Sequence, residues 1–155
     1  MASESSIDRV AAARKLLHSI ARDHPPAVFA CSFGAEDMVL VDLIARDALP
    51  IDVFTLDTGR LPEETHALVD RVRDHYGIGV DVYFPERAAI QALVERHGVN
   101  GFYRSIEIRK ACCGVRKVEP LGRALAGKRA WLTGLRREQS VDRRDVLPES
   151  HDDVH

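Results

Sequence analysis

Two adjacent cysteines, Cys112 and Cys113, stand among four cationic residues within residues 109–117. Positive neighbours favour the thiolate form of cysteine, which is the form that acts as a nucleophile or a metal ligand. A cubane iron–sulfur cluster normally takes four thiolates, and Cys31 is the only other cysteine in the sequence. Taken alone, the pair is compatible with a metal or redox site and also with two inert thiols.

Two glycine-containing loops have a composition suited to binding phosphate or sulfate. In SFGAED, residues 32–37, a hydroxyl residue and a glycine leave backbone N–H groups at a helix N-terminus, where anions bind well. In LDTGR, residues 56–60, Gly59 permits close approach of the backbone to a ligand. Asp57 of the same loop could accept a hydrogen bond from a ribose or an amine. A plain strand-to-helix turn and a plain left-handed turn capped by Asp57 remain the alternatives.

A third loop, LTGLRREQS at residues 132–140, contains the adjacent Arg136 and Arg137. Guanidinium groups form forked, charge-assisted hydrogen bonds with phosphate and sulfate oxygens. Surface arginines are also common, so this loop is not decisive by itself. Three candidate anion-binding loops at one edge of a sheet would be stronger support than any one of them.

The elements that must position these loops alternate along the chain. Apolar runs predict strands at 27–32, 51–56, 79–84 and 129–134. Helices are predicted at 7–21, 38–47, 62–76 and 86–97, with Ser6 capping the first and Pro62 beginning the third. Continuous apolar strands that alternate with helices indicate an α/β fold, a mostly parallel sheet with helices on both faces. In such sheets ligands bind beyond the carboxyl ends of the strands, where the three loops lie.

Composition limits the classes of function. The 155 residues are 45% hydrophobic and 30% charged, which is typical of one soluble domain. Neither a secretory signal nor an apolar run of roughly 18 residues is present, so we expect a cytoplasmic protein without membrane association. Between residues 104 and 144 there are twelve Lys and Arg against four acids, which predicts an anionic partner. No aromatic stacking platform accompanies these cations, so nucleic acid is not the expected partner.

Four segments match one known family in order and spacing: SFGAEDMVLVDLI, FTLDTGRLPEET, YRSIEIRKACCGVRKVEPLGRAL and AWLTGLRREQS. Over residues 31–140 the chain resembles the sulfonucleotide reductases. Within them it resembles the adenylyl-sulfate (APS) reductases that contain a 4Fe-4S cluster. The CC-x-x-RK-x-EPL element distinguishes these from the phosphoadenylyl-sulfate (PAPS) reductases, which lack the tandem cysteines.

The resemblance implies the Rossmann-like adenine-nucleotide α-hydrolase fold and thioredoxin-dependent reduction of adenylyl sulfate to sulfite and AMP in sulfate assimilation. It implies that Cys112 and Cys113 are two of four cluster ligands, and that Lys117 acts electrostatically between cluster and substrate. The substrate-binding positions that it implies are Ser32, Phe33, Gly34, Leu56, Asp57, Thr58, Gly59, Gly134, Leu135, Arg136 and Arg137.

The resemblance also implies further residues beyond His155. In the family these hold a C-x-x-C pair that completes the cluster and a tail cysteine that attacks the sulfur and forms an S-sulfocysteine. We therefore expect the 155-residue chain neither to hold a stable cluster alone nor to turn over. We expect Cys31 to be a buried substitution rather than a replacement nucleophile. The predicted organisation is an N-terminal helix (1–24), an incomplete sulfonucleotide-binding reductase domain (25–144) and an unstructured acidic tail (145–155).

Three other functions remain open. The chain could be a non-catalytic module that binds APS or AMP, or a PAPS reductase, or an ATP-pyrophosphatase of the same fold. The last class needs a Ser-Gly-Gly-x-Asp-Ser-like loop for pyrophosphate, whereas Phe33 and Ala35 flank Gly34 in this chain. The sequence leaves the oligomeric state open, a homo-oligomer included.

Overall fold

The computed structural model describes residues 4–135, 147 and 149–153, with side chains from residue 7 onward. In these residues four parallel strands form one sheet in the order β3-β2-β1-β4. The strands are β1 (Ala27–Ala30), β2 (Ile51–Leu56), β3 (Val80–Tyr83) and β4 (Ala130–Thr133). Since β2 and β4 lie on opposite sides of β1, the strand order reverses between β1 and β4, which is where open α/β sheets have their ligand crevice.

One helix precedes β1, and the others lie in the connections between the strands. They are α1 (Glu4–Asp23), α2 (Ala35–Arg46), α3 (Glu63–Tyr76), α4 (Arg87–His97), α5 (Ile106–Cys113) and α6 (Glu119–Leu125). A short 3-10 helix (Gly101–Tyr103) precedes α5, and a π-helical segment (Gly114–Val118) joins α5 to α6.

Successive side chains of the buried strands point to opposite faces of the sheet, and helices cover both. On one face Phe29 and Val53 pack with buried residues of α1, α2 and α3. On the other face Val28 and Phe54 pack with Ala124 and neighbouring apolar residues of α6. Burial on both faces explains why the strands are continuous apolar runs. The predicted parallel sheet with helices on both faces is confirmed.

The predicted elements are present, with three differences at their ends. The four strands are each equal to or shorter than predicted, because pairing stops where the loops turn away. Helix α1 begins at Glu4, so Ser6 lies inside it and is not its N-cap. Pro62 is the extended N-cap residue of α3, one position before the helix begins. The helices over residues 106–125 were not predicted, since the glycines and Pro120 in this stretch obscure any helical periodicity.

Helix α1 is anchored to the end of α2 by Asp47. The Asp47 carboxylate accepts hydrogen bonds from Arg14, at 2.6 Å from Nε, and lies 2.8 Å from Nε2 of His18. Its side chain is only 7% exposed. The hydrogen bonds from Arg14 and then His18 lower the pKa of Asp47 below its usual value. A carboxylate near a helix C-terminus is disfavoured by the helix dipole, and these partners offset that cost.

We predict that Asp47→Asn lowers the free energy of unfolding at pH 7. Because the folded-state pKa of Asp47 is depressed, the stabilisation is present above the unfolded pKa of about 4 and is lost as pH falls through the folded value. The difference between the variant and the wild type should therefore shrink in urea titrations repeated from pH 7 to pH 3. The control is Asp23→Asn, which removes a more exposed pair with the adjacent Arg22 and should change stability less. If Asp47→Asn lowered the free energy of unfolding by the same amount at pH 7 and pH 3, packing rather than charge would attach α1 to α2.

Candidate functional site

The loop after β1 is organised by a buried carboxylate in the first turn of α2. Asp37 is 3% exposed, and its Oδ2 accepts hydrogen bonds from both the backbone N–H and the hydroxyl of Ser32, each at 2.6 Å. Between them, Phe33 adopts a left-handed backbone conformation with φ of 61°. That conformation is costly for a residue with a Cβ, and burial of the Phe33 ring in the core helps to hold it. Gly34 has an ordinary extended backbone, so the special conformation belongs to Phe33.

The loop after β4 touches the same carboxylate. A Cβ built on Gly134 would lie 1.8 Å from Oδ1 of Asp37, far inside van der Waals contact. Only glycine fits at this position unless Asp37 moves. Asp37 therefore joins the loops that follow β1 and β4, on the two sides of the crevice predicted by the strand order.

The loop after β2 is held from within by Asp57. Its Oδ1 accepts a hydrogen bond from the N–H of Gly59 at 2.8 Å, and its Oδ2 lies 2.7 Å from Nε2 of His66 in α3. Gly59 has a left-handed φ of 71°, as its place in the turn required. The left-handed turn capped by Asp57, which the sequence left open as an alternative, is thus present. Both carboxylate oxygens have protein partners, so the structure gives Asp57 a role in shaping the loop.

Arginine 60 fixes the outer side of this loop. Its guanidinium donates to the carbonyl of Val99 and to Oδ1 of Asn100, the latter at 3.1 Å, and lies 4.8 Å from the centre of the Phe102 ring. These contacts attach the LDTGR loop to the segment that leads into α5.

The tandem cysteines lie at the end of α5, which begins with Ser105 as a hydrogen-bonded N-cap. Cys112 is half-buried and Cys113 is exposed. The helix continues through the π-helical segment instead of as a regular α-helix. The cause is Pro120, because a proline has no N–H to donate to the carbonyl four residues earlier, which belongs to Arg116, and its ring clashes with that carbonyl.

Arginine 116 joins the cysteine segment to the loop after β2. From the π-helical segment its Nη1 donates to the carbonyl oxygen of Thr58 at 2.5 Å. The same nitrogen lies 3.3 Å from where a Cβ on Gly59 would stand. Cys112 and Cys113 precede Arg116 by four and three residues, within about one turn of helix. The fold therefore brings the cysteine segment to the carboxyl edge of the sheet.

The third cysteine has a different environment. Cys31 follows β1 directly, is 3% exposed and packs in the core on the α1–α3 face. Burial raises the pKa of its thiol to about 12. A thiol with this pKa is not a thiolate at neutral pH, so Cys31 is unsuited to act as a nucleophile or a ready metal ligand. The predicted burial of Cys31 is confirmed.

The described residues offer two of the four thiolate ligands that a cubane iron–sulfur cluster takes. Cys112 and Cys113 are adjacent, accessible thiols beside cationic residues, which suits cluster ligation. Within the part of the chain that the structure describes, no group of three or more His, Cys, Asp or Glu residues is arranged to hold a metal ion. Two further thiolates would have to join Cys112 and Cys113 to complete four ligands.

Most of the predicted site residues meet at one edge of the sheet. Cys31 donates its N–H to Phe54 at 2.8 Å, which sets the loops after β1 and β2 side by side. Asp37 joins the loops after β1 and β4, and Arg116 adds the cysteine segment. Lys117 is exposed beside Arg116. Arg136 and Arg137 lie outside the described residues, so their prediction has no structural outcome.

Sequence reasoning missed three residues that organise this edge. Asp37 belongs to the SFGAED loop but is not a predicted site residue, His66 belongs to no predicted motif, and Arg116 is only one of four cations near the cysteines. Asp37 meets Ser32 only because the loop between them folds back on the start of α2. The partners of Arg116 and His66 come from other elements and left no local signal.

The comparison with known families agrees with this geometry. Residues 26–154 match the phosphoadenosine phosphosulfate reductase domain family. The chain belongs to this family. A solved structure, the PAPS reductase from Candida auris in a phosphate complex, superimposes with a TM-score of 0.70 over 90% of this chain and 71% of that one. At 24% identity this likeness concerns the fold alone, and it establishes the Rossmann-like adenine-nucleotide α-hydrolase fold.

Curated relatives are considerably more similar in sequence. The chain is 55% identical over 138 residues to an adenosine 5'-phosphosulfate reductase of Allochromatium vinosum, covering 89% of this chain and 54% of that protein. It is 48% identical over 139 residues to the protein of the same name from Burkholderia cepacia, covering 90% of this chain and 56% of that protein. The chain thus spans about half the length of the relatives that it matches. None of the described helices is both long and apolar enough to cross a membrane.

We predict that Gly134→Ala destabilises the domain by about 1–3 kcal/mol, the usual cost of overpacking. The new methyl group would displace Asp37 and with it the hydrogen bonds to Ser32. The control is Gly122→Ala in α6, where a Cβ meets no atom within 4 Å. That change should stabilise the helix by about 0.5–1 kcal/mol. Thermal and urea unfolding of both variants would test this. Equal free energies of unfolding for the two variants would contradict the close contact between Gly134 and Asp37.

We also predict that the three thiols differ in their rate of alkylation. In the folded, metal-free protein at pH 8, iodoacetamide should modify Cys112 and Cys113 while leaving Cys31 unmodified, because Cys31 is buried and its thiol has a raised pKa. In denaturant all three should react. Mass spectrometry of peptides after a timed reaction measures this directly. Fast modification of Cys31 in the folded protein would contradict its assigned environment.

Proposed function

We propose that this chain is the nucleotide-binding part of a thioredoxin-dependent assimilatory APS reductase. The observation on which this rests is the convergence of three loops and the cysteine segment at the carboxyl edge of β1, β2 and β4. The names of relatives at 48–55% identity support APS as the substrate. We further propose residues 25–144 as the reductase domain, with the N-terminal helix before it and an acidic tail after it.

In this proposal the sulfonucleotide lies over the loops after β1, β2 and β4. Phe33 and Gly34 would contribute mainly backbone groups, since the Phe33 ring is in the core. The N–H and the hydroxyl of Ser32 both donate to Asp37, so Ser32 would contribute chiefly by fixing the loop. Glu36 and Asp37 in the first turn of α2 make this helix end less attractive to an anion than its dipole alone would be. Additional positive charge is therefore required near the phosphosulfate.

The cations of two segments would supply that charge. Arg136 and Arg137, directly after Gly134 and Leu135, can form forked bonds with phosphate and sulfate oxygens. Lys117 is exposed in the cysteine segment and would lie between the sulfonucleotide and the metal site. On the other side of the site, Leu56, Asp57, Thr58 and Gly59 would form the wall of the pocket. Because Thr58 is buried and Asp57 is engaged with His66, these residues would contribute shape and backbone groups.

Cys112 and Cys113 would supply two ligands of a 4Fe-4S cluster, and the resemblance assigns the other two to residues beyond His155. When bound, such a cluster would add a charged, polarisable group beside the substrate. The cationic segment around the two cysteines would balance the negative charge of their thiolates.

The reaction is a two-electron reduction of the sulfate sulfur. A cysteine thiolate outside this chain would attack that sulfur, the S–O bond to the nucleotide would break, and AMP would leave with the electron pair. One thioredoxin thiolate would then attack the S-sulfocysteine and release sulfite, and the second thiol would resolve the mixed disulfide. Thioredoxin is thereby oxidised and the enzyme cysteine regenerated. A reducing compartment such as the cytoplasm suits a protein whose three cysteines are free thiols.

The test is anaerobic calorimetric titration of the 155-residue chain with adenylyl sulfate, and with PAPS and ATP in parallel. We expect heat of binding with adenylyl sulfate and at least about tenfold weaker binding of the other two, equal to about 1.4 kcal/mol. Gly134→Ala should weaken the binding of adenylyl sulfate, and Gly122→Ala should not. We expect no release of sulfite from adenylyl sulfate and reduced thioredoxin.

The PAPS reductase and pyrophosphatase alternatives each give a distinct result. Preference for PAPS would make the chain part of a PAPS reductase, and conversion of ATP to AMP and pyrophosphate would make it a pyrophosphatase. Binding of adenylyl sulfate that is unaffected by Gly134→Ala would place the ligand elsewhere. No binding by the folded chain would mean that residues outside it are needed to build the site.

A further inference from the structure

Arginine 116 has an unusual combination of contacts. Its Nη1 donates to the Thr58 carbonyl, while its Nε is fully buried and has no hydrogen-bond partner among the described residues. Leaving a buried charged donor unsatisfied is costly, so such a group in a native structure calls for an explanation. The π-helical segment forced by Pro120 holds Arg116 in this position.

The loop that Arg116 touches is also held at its two ends. At its start Asp57 contacts the N–H of Gly59 and Nε2 of His66, and donates its own N–H to the carbonyl of Tyr83. On its outer side Arg60 binds the segment before α5. Arg116 is the described contact that joins the middle of the loop to the helix bearing Cys112 and Cys113. A shift of Thr58 or Gly59 would therefore act directly on the guanidinium, which lies about one helical turn from both cysteines.

We propose that Arg116 is a positioning residue that couples occupancy of the LDTG loop, residues 56–59, to the accessibility of Cys112 and Cys113. This inference rests on the proposed function, in that a nucleotide occupies the loop. When the nucleotide is bound, the loop presses on Arg116 and the cysteine segment takes one defined position. Without it, the single bond to Thr58 and the unpartnered Nε leave this junction less constrained. A lysine cannot replace Arg116, because an ammonium group lacks the planar fork.

The first experiment measures thiol reactivity in the full metal-free chain with a chelator present. Rates of iodoacetamide modification at Cys112 and Cys113 are followed with and without AMP, the probe, while calorimetry records whether AMP binds. In the wild type we expect AMP to change the rates by about fivefold or more, at the lower end of typical coupling between sites. In Arg116→Met and Arg116→Lys the change should disappear although AMP still binds.

The control is Arg129→Met, the same substitution at an exposed arginine before the amino end of β4. It should leave the AMP effect intact. An AMP effect that survives in Arg116→Met, or a wild type that binds AMP without any change in thiol reactivity, would overturn the proposal.

A second experiment keeps the proposal testable if AMP does not bind. Hydrogen exchange of the AMP-free proteins should show about tenfold faster exchange at residues 57–60 in Arg116→Met than in the wild type, since a charged donor to the loop is lost. Exchange in α1, which packs on the face of the sheet opposite to α6, should be unchanged. Absence of AMP binding would count against the proposed function alone. Unchanged exchange at residues 57–60 would overturn the role of Arg116 itself.

Discussion

The buried Asp37 carboxylate is the interaction on which the candidate site depends. It is 3% exposed and accepts both the N–H and the hydroxyl of Ser32, and its other oxygen faces the backbone of Gly134. A buried carboxylate is tolerable only when such donors satisfy it. In satisfying it, the chain closes the loop after β1 and brings the loop after β4 against it. The crevice at the reversal of strand order is shaped by this one side chain.

The charged groups at this edge divide into buried acids and more exposed cations. The acids are buried and stabilise the loops. Asp37 accepts a hydrogen bond within the loop after β1, and Asp57 accepts one within the loop after β2. Cations approach from the cysteine segment, where Arg116 reaches the Thr58 carbonyl and Lys117 remains exposed. Buried acids need protein donors, whereas an exposed lysine stays available to an anionic ligand. This arrangement supports the proposal that an anionic nucleotide binds between loops stabilised by their own carboxylates.

Several features were predictable because their causes are local. Apolar runs such as residues 51–56 are buried on both faces of a parallel sheet, and Gly59 has the left-handed conformation that its turn requires. Other features depend on partners elsewhere in the chain and could not be predicted. Asp57 stays a predicted ligand-binding residue, and the structure adds that its carboxylate oxygens contact the N–H of Gly59 and Nε2 of His66. The left-handed backbone of the first loop lies at Phe33, where burial of the ring in the core offsets the strain.

The sequence by itself determined the α/β class, the three loops at the carboxyl edge, the tandem cysteines in a cationic segment and the family resemblance. These properties follow from periodicity, turn chemistry and short motifs, all of which can be recognised from residues close together in the sequence. The tertiary structure alone decided that Asp37 meets Gly134 and that Arg116 meets Thr58, contacts between residues 97 and 58 positions apart in the chain. Such contacts depend on how parallel strands and their crossover helices pack. Short sequence motifs do not reveal contacts between residues so far apart in the chain.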